Sequence, residues 1–276
     1  MSGELVGRTV LVTGAGRGLG RACALDLAGR GALVVANDRD PEPLEELVAA
    51  AAGARGTVHA VPGSVAEWET AGELVAACRR EGGAIDGLLN NAGLFHAEPA
   101  WAEDDERRLR AIVEVNVLGA LFCGVRALAA MREQGAGAIV NVVSGAHLGL
   151  PELSTYGATK GALVSLTLGW ARDCAGSGVR VNGLSPVVAT RMTAAWARNA
   201  EAPPPDPPEA VAPLAAYLLS PASAALNGQV LRLDRGSLSL LRRGRYDQRQ
   251  VRREGWEPEQ IRAVVGSGEL GDLEAF

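Results

Sequence analysis

Tyr156 and Lys160 stand four positions apart, the spacing that brings two side chains onto one face of a helix. Lys160 is the only lysine in the chain; every other cationic side chain is an arginine. An arginine could not replace it in proton chemistry, because the guanidinium proton is effectively permanent whereas an ammonium is compact and titratable. A phenol beside an ammonium has a stabilised phenolate, so the Tyr156 pKa is expected to fall toward neutrality. That makes Tyr156 a candidate general acid or base. Ser144, which closes the apolar run Ala138–Val143, offers a hydroxyl just upstream of the pair.

The elements that must position these residues alternate regularly. Short apolar runs at Thr9–Val12, Ala32–Ala36, Thr57–Val61, Ile85–Leu89, Ala138–Val143, Val179–Leu184 and Gln229–Leu233 read as buried parallel strands. Between them lie helical patterns at Arg21–Gly29, Glu42–Ala52, Trp68–Arg80, Asp104–Met131, Tyr156 to about Ala175, and Glu209–Leu219. The pattern predicts an α/β protein, a Rossmann-type doubly wound parallel sheet of about seven strands with helices on both faces. Asn116 falls in the middle of the long Asp104–Met131 helix, where its side chain competes for backbone groups and is expected to open a local kink.

Between the first strand and first helix runs Thr13-Gly14-Ala15-Gly16-Arg17-Gly18-Leu19-Gly20. A glycine-rich turn there lets the backbone approach a pyrophosphate seated on the helix N-terminus. Asp38 follows the second strand at the distance where a carboxylate binds adenosine ribose hydroxyls and repels a 2′-phosphate, which favours NAD over NADP. Arg17 and Arg39 argue the other way, since either could pair with that phosphate. Asn90-Asn91-Ala92-Gly93 closes the fourth strand, on the sheet edge where ligands bind. Val187–Pro208, broken by Pro203-Pro204-Pro205 and Pro207-Pro208, reads as a mobile loop beside the site.

Composition narrows the function class. Hydrophobic residues are 47% and the net charge is −5, as in a soluble globular protein and against a nucleic-acid binder. Cys23, Cys78, Cys123 and Cys174 have no metal-like spacing and read as buried thiols, which fits a reducing cytoplasm. Met1–Glu4 lead into a strand pattern without a signal-peptide pattern, and no apolar run approaches the ~20 residues of a membrane span. Residues 1–236 are read as a dinucleotide-binding catalytic domain and 237–276 as a C-terminal extension. Arg242, Arg243, Arg245, Arg249, Arg252 and Arg253 cluster in that extension. It reads as a solvated, partly helical segment packing on a neighbouring subunit, ahead of the sharper reading as an anion-binding patch.

Taken together, Thr13-Gly14 through Gly18-Leu19-Gly20, Asp38, Asn90-Asn91-Ala92-Gly93, Asn116, Ser144 and Tyr156-x-x-x-Lys160 resemble the classical short-chain dehydrogenase/reductase family over about residues 5–236. The resemblance implies that Tyr156 exchanges a proton with a carbonyl or alcohol and that Ser144 polarises the same oxygen. It implies that Lys160 binds the nicotinamide ribose and lowers the Tyr156 pKa, and that Asn116 anchors a water relaying protons from Lys160. Cofactor contacts are expected from Gly14, Gly16, Arg17, Gly18, Leu19, Gly20, Asp38, Ser64, Val65, Asn90, Ala92, Gly93, Tyr156, Lys160, Pro186, Val188 and Thr190, with no metal. The implied activity is NAD(P)-dependent interconversion of a secondary alcohol and a ketone, in a homotetramer or homodimer.

Four positions depart from the family pattern: Ser64 in place of an acid, Pro186-Val187 in place of proline-glycine, a shorter loop between Ser144 and Tyr156, and Asp234-Arg235-Gly236 in place of a double glycine. Phe95, His96, His147, Leu148, Leu150, Leu153, Met192 and Trp196 form the expected rim, which suits an apolar steroid-, polyketide- or acyl-like small molecule. His96 or His147 could serve as a second acid/base group. A non-redox dehydration, decarboxylation or cyclisation on the same site, and a non-catalytic dinucleotide-binding regulator, are the alternative readings.

Overall fold

The structure, a computed structural model, describes residues 5–189, 205–242 and 258–267. Eight strands form one sheet in the order β3-β2-β1-β4-β5-β6-β7-β8. They are β1 (Thr9–Thr13), β2 (Leu33–Asp38), β3 (Thr57–Pro62), β4 (Gly87–Asn90), β5 (Gly137–Val142), β6 (Val179–Val187), β7 (Val230–Asp234) and β8 (Ser237–Leu240). All neighbours pair in parallel except β7 and β8. The doubly wound α/β sheet expected from the apolar runs is therefore present, with one more strand than the sequence reading has. β8 is an antiparallel hairpin return, turned by Arg235 (φ 48) and Gly236 (φ 73). Two positive φ angles in succession suit the right-handed twist of the flanking strands. Its four residues are exposed, so no continuous apolar run announces it.

Alternation along the strands sends successive side chains to opposite layers. Val10 and Val12 of β1 join Leu19, Cys23 and Leu27 of α1 (Gly18–Gly29) and Val211, Ala215 and Leu218 of α7 (Pro208–Leu219). Leu11, between them, faces the other layer. There Leu74 and Cys78 of α3 (Trp68–Gly82) pack with Cys123 and Met131 of α5 (Ala120–Gln134) and Trp170 of α6 (Ser154–Asp173). Burial on both sides is why the strands lack polar alternation. All four cysteines are buried free thiols. α2 (Pro41–Ala50) covers the β2–β3 edge.

The helix expected over Asp104–Met131 is composite. α4 (Glu106–Val113) passes through a π-helical turn (Glu114–Gly119) into α5. Asn116 lies in that turn and is fully buried. The kink expected from an interior asparagine thus takes the form of a wider turn, of the kind that often marks a functional site. The run Glu106–Gln134 has 29 residues and a mean hydropathy of 1.7 in its most apolar window, enough by length and composition to cross a membrane. This corrects the reading that no run reaches that size. Its buried Cys123, Ala127 and Met131 pack against the sheet, which makes it a core helix.

Strand order reverses between β1 and β4, opening a crevice at the C-terminal strand ends. At the end of β6, Val188 bridges Asp206, and the Ala189 amide donates to the Asp206 carbonyl at 2.8 Å. Thr190, Met192, Trp196, Pro203 and Pro204 lie outside the described residues. So do Arg243, Arg245, Arg249, Arg252 and Arg253 of the expected tail. Contacts divide the chain after Leu241. In the second unit, α8 (Pro258–Ser267) exposes Ile261 and Val265 and buries Val264.

Candidate active site

At the crevice, β1 turns into α1 through a backbone that must leave room. Gly14 (φ 64) and Gly18 (φ 53) adopt left-handed conformations, which cost a glycine little. A Cβ on Gly20 would lie 2.0 Å from the Gly14 carbonyl oxygen, and one on Gly16 would lie 2.8 Å from Asp38 Oδ2. The start of α1 has no side-chain cap and no acidic residue in its first turn, so its amides are free to meet an anion. Thr13 fastens the neighbouring loop: its hydroxyl accepts from the Asn91 and Ala92 amides at 3.0 and 3.1 Å. Asn91 Nδ2 donates back to the Thr13 and Gly14 carbonyls, each at 3.0 Å. This cradle of close-approach glycines beside uncapped amides fits a dinucleotide phosphate group.

Asp38 ends β2 with Oδ2 accepting from the Gly16 amide at 3.0 Å and Oδ1 accepting from the Asp40 amide at 3.3 Å. Arg17 and Arg39 both bind Asp40, at 2.7 and 3.3 Å. The two guanidiniums hold that carboxyl below the usual carboxylate range, with the Arg17 hydrogen bond contributing most. Asn37, buried beside Asp38, donates to the Val61 and Gly63 carbonyls and so shapes the end of β3. There the Ser64 hydroxyl accepts from the Ala66 amide at 3.3 Å, and Val65 packs where a Cβ on Gly119 would fall.

Asn90, expected among the cofactor contacts, turns its side chain elsewhere. Nδ2 donates to the Ala120 carbonyl at 3.2 Å and to Asn141 Oδ1 at 3.0 Å. Asn141 Nδ2 continues to the Thr167 hydroxyl at 2.9 Å. This buried chain ties β4 to β5, α5 and α6, so the Asn90 side chain supports the site from behind. Asn91, its neighbour in sequence, is the one that faces the glycine turn.

Across the crevice the catalytic candidates converge. Ser144 follows β5, and Tyr156 sits in the first turn of α6 with Lys160 one turn further on. The Ser144 hydroxyl accepts from the Ala146 amide at 3.2 Å and stands near enough to the Tyr156 hydroxyl to lower its pKa. Lys160 is 3% exposed. Its Nζ donates to the Val142 carbonyl at 2.9 Å and lies 5.7 Å from the Tyr156 ring centre. A Cβ on Gly93 would come within 3.3 Å of Asn116 Oδ1 and 3.6 Å of Lys160 Nζ. The loop after β4 therefore passes directly over both residues.

Asn116 uses both ends of its amide. Oδ1 accepts from the Leu94 amide at 2.6 Å, while Nδ2 donates to the Leu94 carbonyl at 2.9 Å and to the Thr159 hydroxyl at 3.0 Å. Thr159 donates to the Tyr156 carbonyl at 2.7 Å. Thr159 is not among the residues singled out from sequence, although its place directly before Lys160 is a usable signal. Both Asn116 Nδ2 hydrogens are thus engaged, so a water at this side chain could only donate to Oδ1.

The expected fall in the Tyr156 pKa is not what this environment gives. Burial pushes the phenol up to about 12, against a smaller lowering by the nearby Ser144 hydroxyl. Burial likewise brings Lys160 down to about 8. Desolvation penalises the charged form of each group, and the ammonium is turned to the Val142 carbonyl. The Phe95 ring meets the Tyr156 ring edge-on, with centroids 5.0 Å apart and planes at 68°.

Of the other rim residues, Leu153 is buried, and Leu148 and Leu150 are exposed. His147 Nδ1 lies 2.5 Å from the Ser144 carbonyl oxygen. This fixes Nδ1 as the protonated nitrogen and tightens the turn behind Ser144. Pro186 pairs with Leu233 at the far side of the crevice. Among the described residues, no three His, Cys, Asp or Glu side chains group as metal ligands.

The comparisons agree with this geometry. The chain is 34% identical to a hydroxyacyl-CoA dehydrogenase of Mycobacterium tuberculosis over 95% of this chain and 88% of that protein. It is 32% identical to a 3-oxoacyl-[acyl-carrier-protein] reductase of Thermotoga maritima over 84% of this chain and 98% of that one. The crystal structure of a short chain dehydrogenase from Mycobacterium avium superposes with a TM-score of 0.85 at 31% identity, covering 96% of this chain and 95% of that one. The family model for short chain dehydrogenases matches residues 8–201. With the glycine cradle, Asp38 and the convergence of Asn116, Ser144, Tyr156 and Lys160 on one crevice, the chain belongs to the short-chain dehydrogenase family and has that family's oxidoreductase fold.

Proposed function

We propose that this protein interconverts a secondary alcohol and a ketone, with NAD(H) as the preferred cofactor. The observation that carries the reading is the convergence of Ser144 and Tyr156 at the crevice edge, with the buried Lys160 one helical turn behind. Two hydroxyls there can hold one substrate oxygen: Ser144 orients it, and Tyr156 gives it a proton during reduction or removes one during oxidation. The nicotinamide, when bound, supplies or accepts the hydride. Lys160, buried and low in pKa, sits close enough to stabilise the phenolate that proton transfer leaves. A proton relay toward solvent would run past Lys160 and Asn116. Gly14, Gly16, Arg17, Gly18, Leu19, Gly20, Ser64, Val65, Ala92 and Gly93 would line the dinucleotide.

The NAD preference rests on Asp38. Its carboxylate faces the Gly16 amide, where a 2′-phosphate would meet like charge. The two arginines that could receive such a phosphate are already paired with Asp40. An apolar substrate suits a rim of Phe95, Leu148, Leu150 and Leu153. The activities named for the two relatives add acyl-thioester substrates to that class.

We further propose assembly into a dimer or tetramer through the outer face of α4 and the π turn beside α6. Val113 and Leu118 are exposed there, and Val113, Val117, Ser154, Thr155 and Ala158 line a shallow groove. The cytoplasm suits four cysteines kept as thiols.

The deciding experiment is a fluorescence titration with NADH and NADPH, followed by an absorbance screen of ketones and alcohols. Tighter NADH binding, with redox turnover lost in Tyr156→Phe, supports the reading. NADPH binding alone would overturn the cofactor assignment, and a non-redox conversion lost in the same variant would overturn the reaction.

A further inference from the structure

The segment between β4 and α4 is a long connection that could easily lack fixed structure. Instead it is fastened at four places. Asn116 holds both backbone groups of Leu94, at 2.6 and 2.9 Å. Phe95 lies against the Tyr156 ring at 5.0 Å. The Glu98 amide donates to the Glu152 carbonyl at 2.8 Å, which joins this segment to the loop before α6. The fourth fastening is electrostatic and lies outside the residues assigned to proton transfer. His96 Nε2 is 2.5 Å from Glu103 Oε2, and Arg108 Nη1 is 3.3 Å from Glu103 Oε1.

Glu103 is the centre of that cluster. Its side chain is 6% exposed, against 43% for Arg108. Oε1 also accepts from the Asp105 amide at 3.1 Å, and Asp105 caps α4 through its own carboxylate at the Arg107 and Arg108 amides. Oε2 is buried and has no aligned hydrogen bond, so the His96 ring edge is the donor that stands against it. A buried carboxylate oxygen needs such a donor. Arg108 Nη1 lies 3.3 Å from His96 Nε2 and 3.3 Å from Glu103 Oε1, so the three side chains form one cluster.

We infer that Glu103 is a positioning residue for the reaction centre: by holding His96 and Arg108 it fixes the Leu94–Phe95–His96 stretch against Asn116 and Tyr156. This rests on the reading of Tyr156 as the acid/base. The physical consequence is local. If the stretch is released, the Phe95 ring leaves the Tyr156 ring, water reaches the phenol and its burial is relieved. The Leu94 and Glu98 amides lose their partners together, because both lie on the same tethered backbone.

Two readouts on the full chain test this without a known substrate. The first is hydrogen–deuterium exchange of the peptide spanning residues 93–104. The second is the absorbance titration of tyrosinate, read by difference against Tyr156→Phe; the chain has only three tyrosines. In Glu103→Gln and in His96→Leu, exchange at Leu94 and Glu98 should rise about tenfold or more, and Tyr156 should titrate near the ordinary tyrosine value of about 10. His96→Gln keeps a donor for Oε2 and should behave like the parent protein.

Unchanged exchange and unchanged titration in Glu103→Gln would overturn the inference. So would faster exchange spread evenly over the whole chain, because the role would then be general stability. Neither readout needs turnover, so a protein found to lack redox activity would still show whether Glu103 holds this stretch in place.

Discussion

Lys160 donates to the Val142 carbonyl at 2.9 Å, so the chain's only lysine ammonium ends against the last residue of β5. There it is desolvated on all sides, which is why its pKa falls to about 8. In the unfolded chain the same group titrates near 10.4. Between those two values the unfolded state holds a proton that the folded state has shed, so stability rises with pH across that window. Below about pH 8 the full burial penalty is present. Lys160→Met removes the charge and should melt a few degrees higher at neutral pH, with the gain shrinking as pH passes from about 8 toward 10. Calorimetry at several pH values checks this. The same variant should lose activity.

Tyr156→Phe keeps the ring, and with it the contact to Phe95, but removes the proton. Turnover should drop by roughly 10²–10⁴-fold, the usual range for a positioned acid or base, while NADH binding changes little. In the parent protein burial favours the neutral phenol. Reduction should therefore proceed well at neutral pH, and alcohol oxidation should keep accelerating as pH rises toward about 12. Steady-state rates in both directions provide the check.

Asp38→Asn leaves the shape of the β2 end and removes one negative charge beside Gly16. The ratio of NADPH to NADH affinity should rise by about tenfold or more, equivalent to about 1.4 kcal/mol. Adding Asp40→Asn should raise it further, because Arg17 and Arg39 then lose their shared carboxylate. Parallel fluorescence titrations with the two cofactors would show it.

Gly93→Ala should be damaging out of proportion to its size. The added methyl would stand 3.3 Å from Asn116 Oδ1, close enough that the amide must give by a few tenths of an ångström, and in ordinary contact with Lys160 Nζ at 3.6 Å. Turnover is expected to fall at least about tenfold with the melting temperature within a few degrees of the parent. An equal loss of both would show that the loop is needed only for folding.

The sequence makes the sheet legible because buried parallel strands are continuous apolar runs, such as Thr-Val-Leu-Val at the start of β1. Tyr156 and Lys160 are legible because helical spacing alone brings them together. Asn116 can be singled out as an anomaly inside a helix, and the π turn is the structural form of that anomaly. What local pattern cannot supply is the environment brought in by distant segments. The Tyr156 pKa follows from burial, to which Phe95 contributes from a loop sixty-one positions earlier. The choice between Asn90 and Asn91 depends on which way the chain turns after β4. β8 is missed for a different reason: an exposed edge strand of four residues has no buried face to print a pattern.

The confinement of Lys160 has a practical consequence for labelling. The chain holds a single ε-amine, and it is 3% exposed. Reagents that acylate lysines will find no such target on the native surface, and the one they could modify becomes reachable only when α6 lifts from β5. The slow appearance of that one acylated peptide would therefore clock the opening of the crevice.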